Sequence, residues 1–439
     1  MLHKKLYMQD IVLGDVGGEM LEFISRVYPI CRSITGNGFR ETLRIIQDYI
    51  PLEIYEIPTG TKVFDWTVPK EWNIRDAYVK NSRGEKVIDF GASNLHVMSY
   101  SIPIHKKMNL SELKKHLHTL PDHPEWIPYR TSYYKESWGF CMTHKKFLEL
   151  PEDMYDVYID STLEDGHLTY GEFYLKGHYS EEILLSCHAC HPSLCNDNAA
   201  GMALTALLGR YLSPLSLRYS YRILFIPGTI GSITWLSSNE ASVPNIKHGL
   251  VVTCVGDPGM STYKRSRIGN AEIDIAVDHV LKHSGKPYKI VNFSPYGYDE
   301  RQYCSPGFNL PIGCLQRTPH GEYPEYHTSA DDCDFVRTEC LADSFMKYLS
   351  VLSIIENNEA YINTNPRCEP QLGKRGLYSA TGGKSHTASD QMAMLWVLNY
   401  SDGQHTLLDI AEKSDIPFDK ICNEALILIE AGLLKEKGL

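Results

Sequence analysis

Between Glu181 and Asn358, short apolar runs alternate with stretches of helical periodicity, and this alternation restricts the chain more than any other feature. EEILLSC, YRILFIPG and GLVVTCVG are short and almost uniformly apolar, as expected of strands buried on both faces. NAAGMALTALLGRYL sets Met202, Leu204, Leu207, Leu208 and Tyr211 on one side of a helix. AEIDIAVDHVLKHSG and DSFMKYLSVLSIIENN read as two more helices, YKIVNF and PIGCLQ as further strands. Strands alternating with helices call for an α/β fold, a mostly parallel sheet flanked by helices.

A chain of 439 residues is too long for one ordinary core, and its flanks read differently. Residues 18–50 have helical spacing broken by Pro29, Gly36 and Gly38. From Leu52 to Tyr174 the chain is rich in Tyr, Trp, Thr and Val. EIYEIP, TKVFDWTVP, EKVIDFG, NLHVMSYSIP and WGFCMTH are strand-like there, with one short helix at SELKKHLHTL. Residues 367–383 are polar and glycine-rich, a linker. DQMAMLWVLNYSDG, HTLLDIAEKSD and FDKICNEALILIEAGLLKEKG follow as three helices resembling a winged-helix module.

Charge and cysteine usage narrow the function classes. The net charge of −11 repels phosphate backbones, so nucleic acid is not the expected partner. The last helix carries more acid than base, which assigns the module to packing, partner docking or homo-oligomer formation rather than DNA reading. No run of about 18 apolar residues exists to span a membrane. The start, MLHKKLYMQD, has no apolar stretch behind its lysines, so a cytoplasmic location and 12 reduced cysteines are expected. Cys187 and Cys190 form a C-x-x-C, but no second one completes a zinc ribbon. With Cys195 they read as small buried fillers.

The chemistry concentrates in SCHACHPSLCNDNAAG, residues 186–201, where a buried strand gives way to a helix. Ligand sites in α/β sheets form at such strand ends. His188 is the first strongly polar side chain off the strand, and Asp197 precedes the helix. Imidazole and carboxylate together suit zinc. His191 either joins this set or orients the loop. Asp257 follows the strand VVTCVG and either joins it or caps the turn at Pro258 and Gly259. His327, in EYPEYHTSADDCDF, follows PIGCLQ and a polar loop. Asn196 and Asn198 are expected to fix the loop by hydrogen bonds. Tyr129, Tyr133, Tyr134 and Trp138 fit a β-sandwich core or the wall of a substrate cleft.

This order of a strand-end histidine, Asp-Asn before a helix, a later strand-end aspartate and a late Tyr-His-Thr resembles the co-catalytic zinc aminopeptidases. That clan includes leucyl-type aminopeptidases and glutaminyl cyclases. YPICRSITGNG, VFDWTVPKEWNIRDAY, IPYRTSYY, YGYDERQYCSPGFNLP and RTPHGEYPEYHTSADD are similar to a family of bacterial aminopeptidase-like proteins, over nearly the whole chain. The resemblance implies a discontinuous zinc-peptidase domain at residues 1–60 and 160–366, an inserted β-rich domain at 61–159 and a winged-helix domain at 384–439. It also implies that His188, Asp197, Asp257 and His327 occupy metal-ligand positions.

The chain departs from the clan in two places. Gly228, Thr229, Ile230 and Gly231 stand where the clan has a Glu-Glu pair, and the first motif reads His-x-x-His rather than His-x-Asp. One zinc is therefore expected rather than two, and the usual base is missing. Glu300 in GYDERQ is the candidate replacement, with Asp299 the alternative and Glu322 a third choice or a support for His327. Glu300 could equally be spent on a salt bridge. Arg301 could pair with a substrate carboxylate or with developing oxyanion charge. The expected function is a zinc-dependent hydrolase, an aminopeptidase acting on a peptide or aminoacyl amide bond through metal-activated water. Two alternatives are an inactive metal- or ligand-binding protein of the same fold and an amide hydrolase of cell-surface polysaccharide metabolism. A ligand-sensing transcriptional regulator fits the acidic tail poorly.

Overall fold

The computed structural model describes residue 6, residues 14–377 and residues 388–436. Most of MLHKKLYMQD and the part of the expected linker beyond residue 377 lie outside the described residues. An eight-stranded sheet forms the centre. Its strands, in spatial order, are Glu53–Pro58, His167–Leu175, Ser220–Ile226, Glu182–His188, Ile246–Val252, Ile312–Gln316, Ser261–Lys264 and Tyr288–Val291.

The middle four strands pair in parallel, and antiparallel pairs extend the sheet on both sides. Glu182–His188 and Ser220–Ile226 are buried along their whole length, as uniformly apolar runs require. Helices Val16–Val27, Ala200–Leu212, Glu272–His283 and Thr338–Asn357 cover the sheet, and all but two residues of Ala200–Leu212 are buried. The α/β sheet with flanking helices is thus as the sequence predicts.

EIYEIP, the first strand of the expected β-rich stretch, joins this large sheet through His167–Leu175. Lys62–Val63 and Trp66–Thr67 pair only with each other, and later strands build a separate four-stranded sheet in the order Lys86–Asp89, Glu71–Lys80, Met154–Glu164, Ile104–Asn109. Burial in Met154–Glu164 alternates residue by residue, the signature of a sheet with one packed face. Val79, Ile88, Met108, Tyr155, Val157 and Ile159 form its own apolar cluster. NLHVMSYSIP provides a 3-10 turn and isolated bridges rather than a strand.

The C-terminal helices Ala388–Tyr400, Leu407–Ser414 and Phe418–Glu430 match the three expected. Their sheet takes its central strand from upstream of the linker: Ala360–Asn363 pairs antiparallel with both Asp402–Thr406 and Leu434–Glu436. The winged unit therefore begins immediately after the helix Thr338–Asn357, not at residue 384. It docks on the α/β core through Leu408 N donating to Asn358 Oδ1 at 2.8 Å, and through His279. Among the described residues, no helix is long and apolar enough to cross a membrane.

Candidate metal centre

The strand Glu182–His188 ends by placing His188 against the loop that carries Asp197. That loop is held from several sides. Asn196 N and Asp197 N donate to the two carboxylate oxygens of Asp331, at 2.6 and 2.9 Å. Cys195 N donates to the Asp331 carbonyl at 2.9 Å. Asn196 Oδ1 accepts from Gly256 N at 2.8 Å, and Asn198 Nδ2 donates to the carbonyls of His188 and Val252. Asn198 Oδ1 accepts from Gly201 N at 3.1 Å and so starts the helix Ala200–Leu212.

Three imidazoles converge on the fully buried Asp197. His188 Nε2 lies 2.9 Å from Oδ1; His191 Nδ1 and His327 Nε2 each lie 3.0 Å from Oδ2. Yet Asp197 Oδ2 and His327 Nε2, both buried atoms, make no hydrogen bond of acceptable geometry. Buried polar atoms are normally paired. Nitrogens and a carboxylate oxygen crowded together without hydrogen-bond alignment are an arrangement that a shared cation satisfies. His188, His191 and Asp197 can direct one ligand atom each to a common point, and His327 adjoins them. Three imidazoles and a carboxylate are a set that suits zinc.

Electrostatics agree with this arrangement. Burial opposes the charge on Asp197, but the surrounding histidines outweigh it and hold the carboxyl well below its usual range. Burial also opposes charge on His191, and Asp197 reverses that to raise its pKa. His327 is lowered, burial prevailing over Asp197. Burial pushes Asp331 up to about 8 despite the amides it accepts.

Asp257 is not brought into this group. Its carboxylate accepts from Thr318 Oγ1 at 2.5 Å, Gly259 N at 2.8 Å and Asn196 Nδ2 at 3.1 Å, so it braces the neighbour of Asp197 instead. Glu300 is also committed elsewhere: Oε1 accepts from Lys264 Nζ at 2.8 Å, and both side chains are buried. Glu322 lies outside, exposed and 3.5 Å from Lys289. Asp299 Oδ1 accepts from Thr229 N at 2.7 Å and Ser232 Oγ at 2.8 Å. Asp299 is thereby pinned to the turn after Ser220–Ile226, the place where the sequence lacks its carboxylate pair. Burial raises its pKa, and the nearby His188 moderates the rise. Arg301 Nη2 donates to Thr229 Oγ1 at 3.1 Å.

Three tyrosines surround the centre; sequence reasoning offered Tyr129 as core or cleft wall and did not assign Tyr298 or Tyr326. Tyr298 stacks on His188 with ring centroids 5.0 Å apart, and its hydroxyl donates to Asp197 Oδ1 at 3.4 Å. Tyr326 stacks on His327 at 3.9 Å. Tyr129 meets His191 and His327 edge-on at 5.3 and 5.1 Å, and its N–H donates to the His327 carbonyl at 2.7 Å. The β-rich segment thus walls the centre through Tyr129, whereas Trp138 packs in its own apolar core. Arg32, fully buried, donates from Nε to the His191 carbonyl at 3.0 Å. Tyr326 and Asp331 lie next to and four positions after His327, and Tyr298 directly precedes Asp299, and that adjacency was the available signal.

Comparison with known proteins follows the same outline. A family model described as a domain of unknown function, DUF4910, matches residues 21–358, and a winged helix-turn-helix model matches residues 359–436. Over 422 residues the chain is 58% identical to a Clostridium acetobutylicum protein named for polysaccharide biosynthesis and an aminopeptidase-like domain, covering 96% of this chain and 97% of that one. A crystal structure from the same species, carrying a provisional peptidase name, superimposes with a TM-score of 0.93 at 56% identity, over 96% of this chain and 97% of that one. A Bacillus subtilis zinc aminopeptidase shares the fold, with a TM-score of 0.57 at 10% identity over 78% of this chain and 95% of that one.

Proposed function

Since this chain belongs to the family described as a domain of unknown function, DUF4910, and carries an aminopeptidase-like fold with a winged helix-turn-helix, we propose that it is a zinc-dependent amide hydrolase with His188, His191, Asp197 and His327 as the metal ligands. The convergence of three imidazoles on Asp197, with Asp197 Oδ2 and His327 Nε2 left unpaired, carries this reading. Zinc bound there would act as a Lewis acid on the scissile carbonyl and make a water nucleophile available near neutral pH.

The protein's own residues supply the rest. Asp299 is the base: held by Thr229 N and Ser232 Oγ, it takes the proton of the attacking water and returns it to the leaving amine. Its raised pKa suits a group that must both accept and release that proton. Tyr298 steadies the Asp197 carboxylate, and Asp331 fixes the loop beneath it. His327, with its side chain 34% exposed, marks the side from which substrate enters.

A peptide or aminoacyl amide is the first substrate class. The acyl amide of an amino sugar is the second, favoured by the aromatic edge of the centre. There Tyr296, 74% exposed, lies 5.5 Å from His320, which itself packs on Tyr298 at 4.6 Å. Aromatic faces of this kind can stack on sugar rings. The biosynthetic name of the Clostridium relative supports the same reading. The test is zinc content together with turnover on aminoacyl and N-acyl amino sugar panels. Near one zinc per chain with turnover on one panel is expected. Failure to hold zinc, even after it is supplied, would sink the proposal; zinc without turnover would leave a metal-binding protein.

A further inference from the structure

Cys195 and Cys333 are set apart from the other thiols by their position. Their sulfurs lie 3.6 Å apart, although 138 positions separate them in the chain. Cys195 opens the loop that carries Asp197, and Cys333 follows Asp331, whose carboxylate receives the amides of that loop. The two segments are thus already clipped together beside the sulfurs, through Asp331. A disulfide needs about 2.05 Å between sulfurs, so the remaining gap of roughly 1.5 Å is of the size that side-chain rotation can close.

The two thiols are also unequal. Cys195 is fully buried, whereas Cys333 is partly open to solvent. Accepting a hydrogen bond from Cys195 lowers the Cys333 pKa to about 7, against the opposing effect of burial. By contrast, Cys190 is buried, bonded to Gly228 N at 3.4 Å and pushed up to about 12.

We propose that Cys333 and Cys195 form a peroxide-reactive dithiol, a modification site that staples the Asp331 segment to the Asp197 loop. The Cys333 thiolate attacks one oxygen of hydrogen peroxide, giving a sulfenic acid and releasing hydroxide. The Cys195 sulfur then attacks the Cys333 sulfur, forms the S–S bond and expels the hydroxyl, which leaves with the thiol proton as water. Two thiols are oxidised and one peroxide is reduced. Because the clipped backbone already holds both residues, the bond forms with Asp197 in place and cross-links a closed loop, which favours the folded state.

The experiment uses the full chain in a Cys368→Ser background, which removes the exposed thiol. The reduced protein is treated with hydrogen peroxide and mapped without reductant. The expected results are loss of two free thiols, a Cys195–Cys333 cross-linked peptide, a raised thermal midpoint, and reversal of all three by dithiothreitol. Cys333→Ser should show neither cross-link nor shift, and Cys195→Ser should leave a sulfenic acid at Cys333 that a dimedone probe captures. Absence of the cross-link from folded protein, or its appearance only after denaturation, would overturn the proposal. These readouts need no substrate, so their failure is distinct from failure of the hydrolase reading.

Discussion

His279 and the three histidines around Asp197 use their nitrogens in opposite ways. At the seam with the C-terminal unit, both nitrogens of His279 are engaged: Nδ1 lies 2.5 Å from Glu412 Oε1, and Nε2 accepts from Phe418 N at 3.0 Å. Around Asp197, three imidazoles crowd one carboxylate while a nitrogen and an oxygen within 3.0 Å remain unpaired. Both environments are enclosed, so burial does not separate them. A satisfied histidine fastens two elements together; a histidine nitrogen and a carboxylate oxygen crowded to 3.0 Å without bonding fit a shared cation.

Removing the carboxylate tests the contrast most severely. Asp197→Ala should reduce zinc from about one per chain to almost none by elemental analysis, and hydrolysis should vanish with it. Full zinc retention would erase the distinction between the two groups.

The next effect separates adjacent acids. Asp299→Asn should retain zinc and lose turnover by roughly 10²- to 10⁴-fold, the usual contribution of a positioned base. Glu300→Ala should act mainly on stability, costing about 3 kcal/mol in denaturant unfolding because buried Lys264 loses its carboxylate and keeps only the Tyr296 carbonyl. The reverse pattern would return the role of base to Glu300.

At the seam the effects are smaller and leave the metal untouched. His279→Ala should cost about 1–2 kcal/mol in stability through the lost Glu412 and Phe418 contacts, with unchanged zinc content. The smallest effect is on pH. Burial depresses the His279 pKa below 6.5, and Nε2 must stay unprotonated to accept from Phe418. Its contribution is therefore complete above about 6.5 and lost as pH falls through the depressed value. Amide protection near Phe418, corrected for the intrinsic pH dependence of exchange, should be lower at pH 5.5 than at 7.5 in wild type, and this difference should shrink in His279→Ala.

Most of the fold was legible because fully buried strands and one-sided helices leave strong periodic traces. The loop that gathers His188 and Asp197 was legible because the two residues flank a strand end and a helix start. The different contacts of the two candidate bases were not. Asp299 and Glu300 are neighbours at the start of a one-turn helix, where successive side chains point about 100° apart. One meets Thr229 and the other Lys264. Asp257 misled for a related reason: a strand-end position brings a carboxylate near the site but does not decide whether Thr318 and Asn196 occupy it first. Arg32 lies 159 positions from the His191 carbonyl it supports, beyond the reach of local pattern.

The central strand Ala360–Asn363 sets a rule for cutting the gene. A fragment starting at residue 384 would lack the strand to which both edges of its sheet are paired, and a core ending at residue 366 would carry that strand unpaired on both sides. Neither half so divided inherits a closed sheet. The strand belongs to the C-terminal unit alone, so a domain swap or a shortened fragment has to place its junction before Glu359, at the end of the helix Thr338–Asn357.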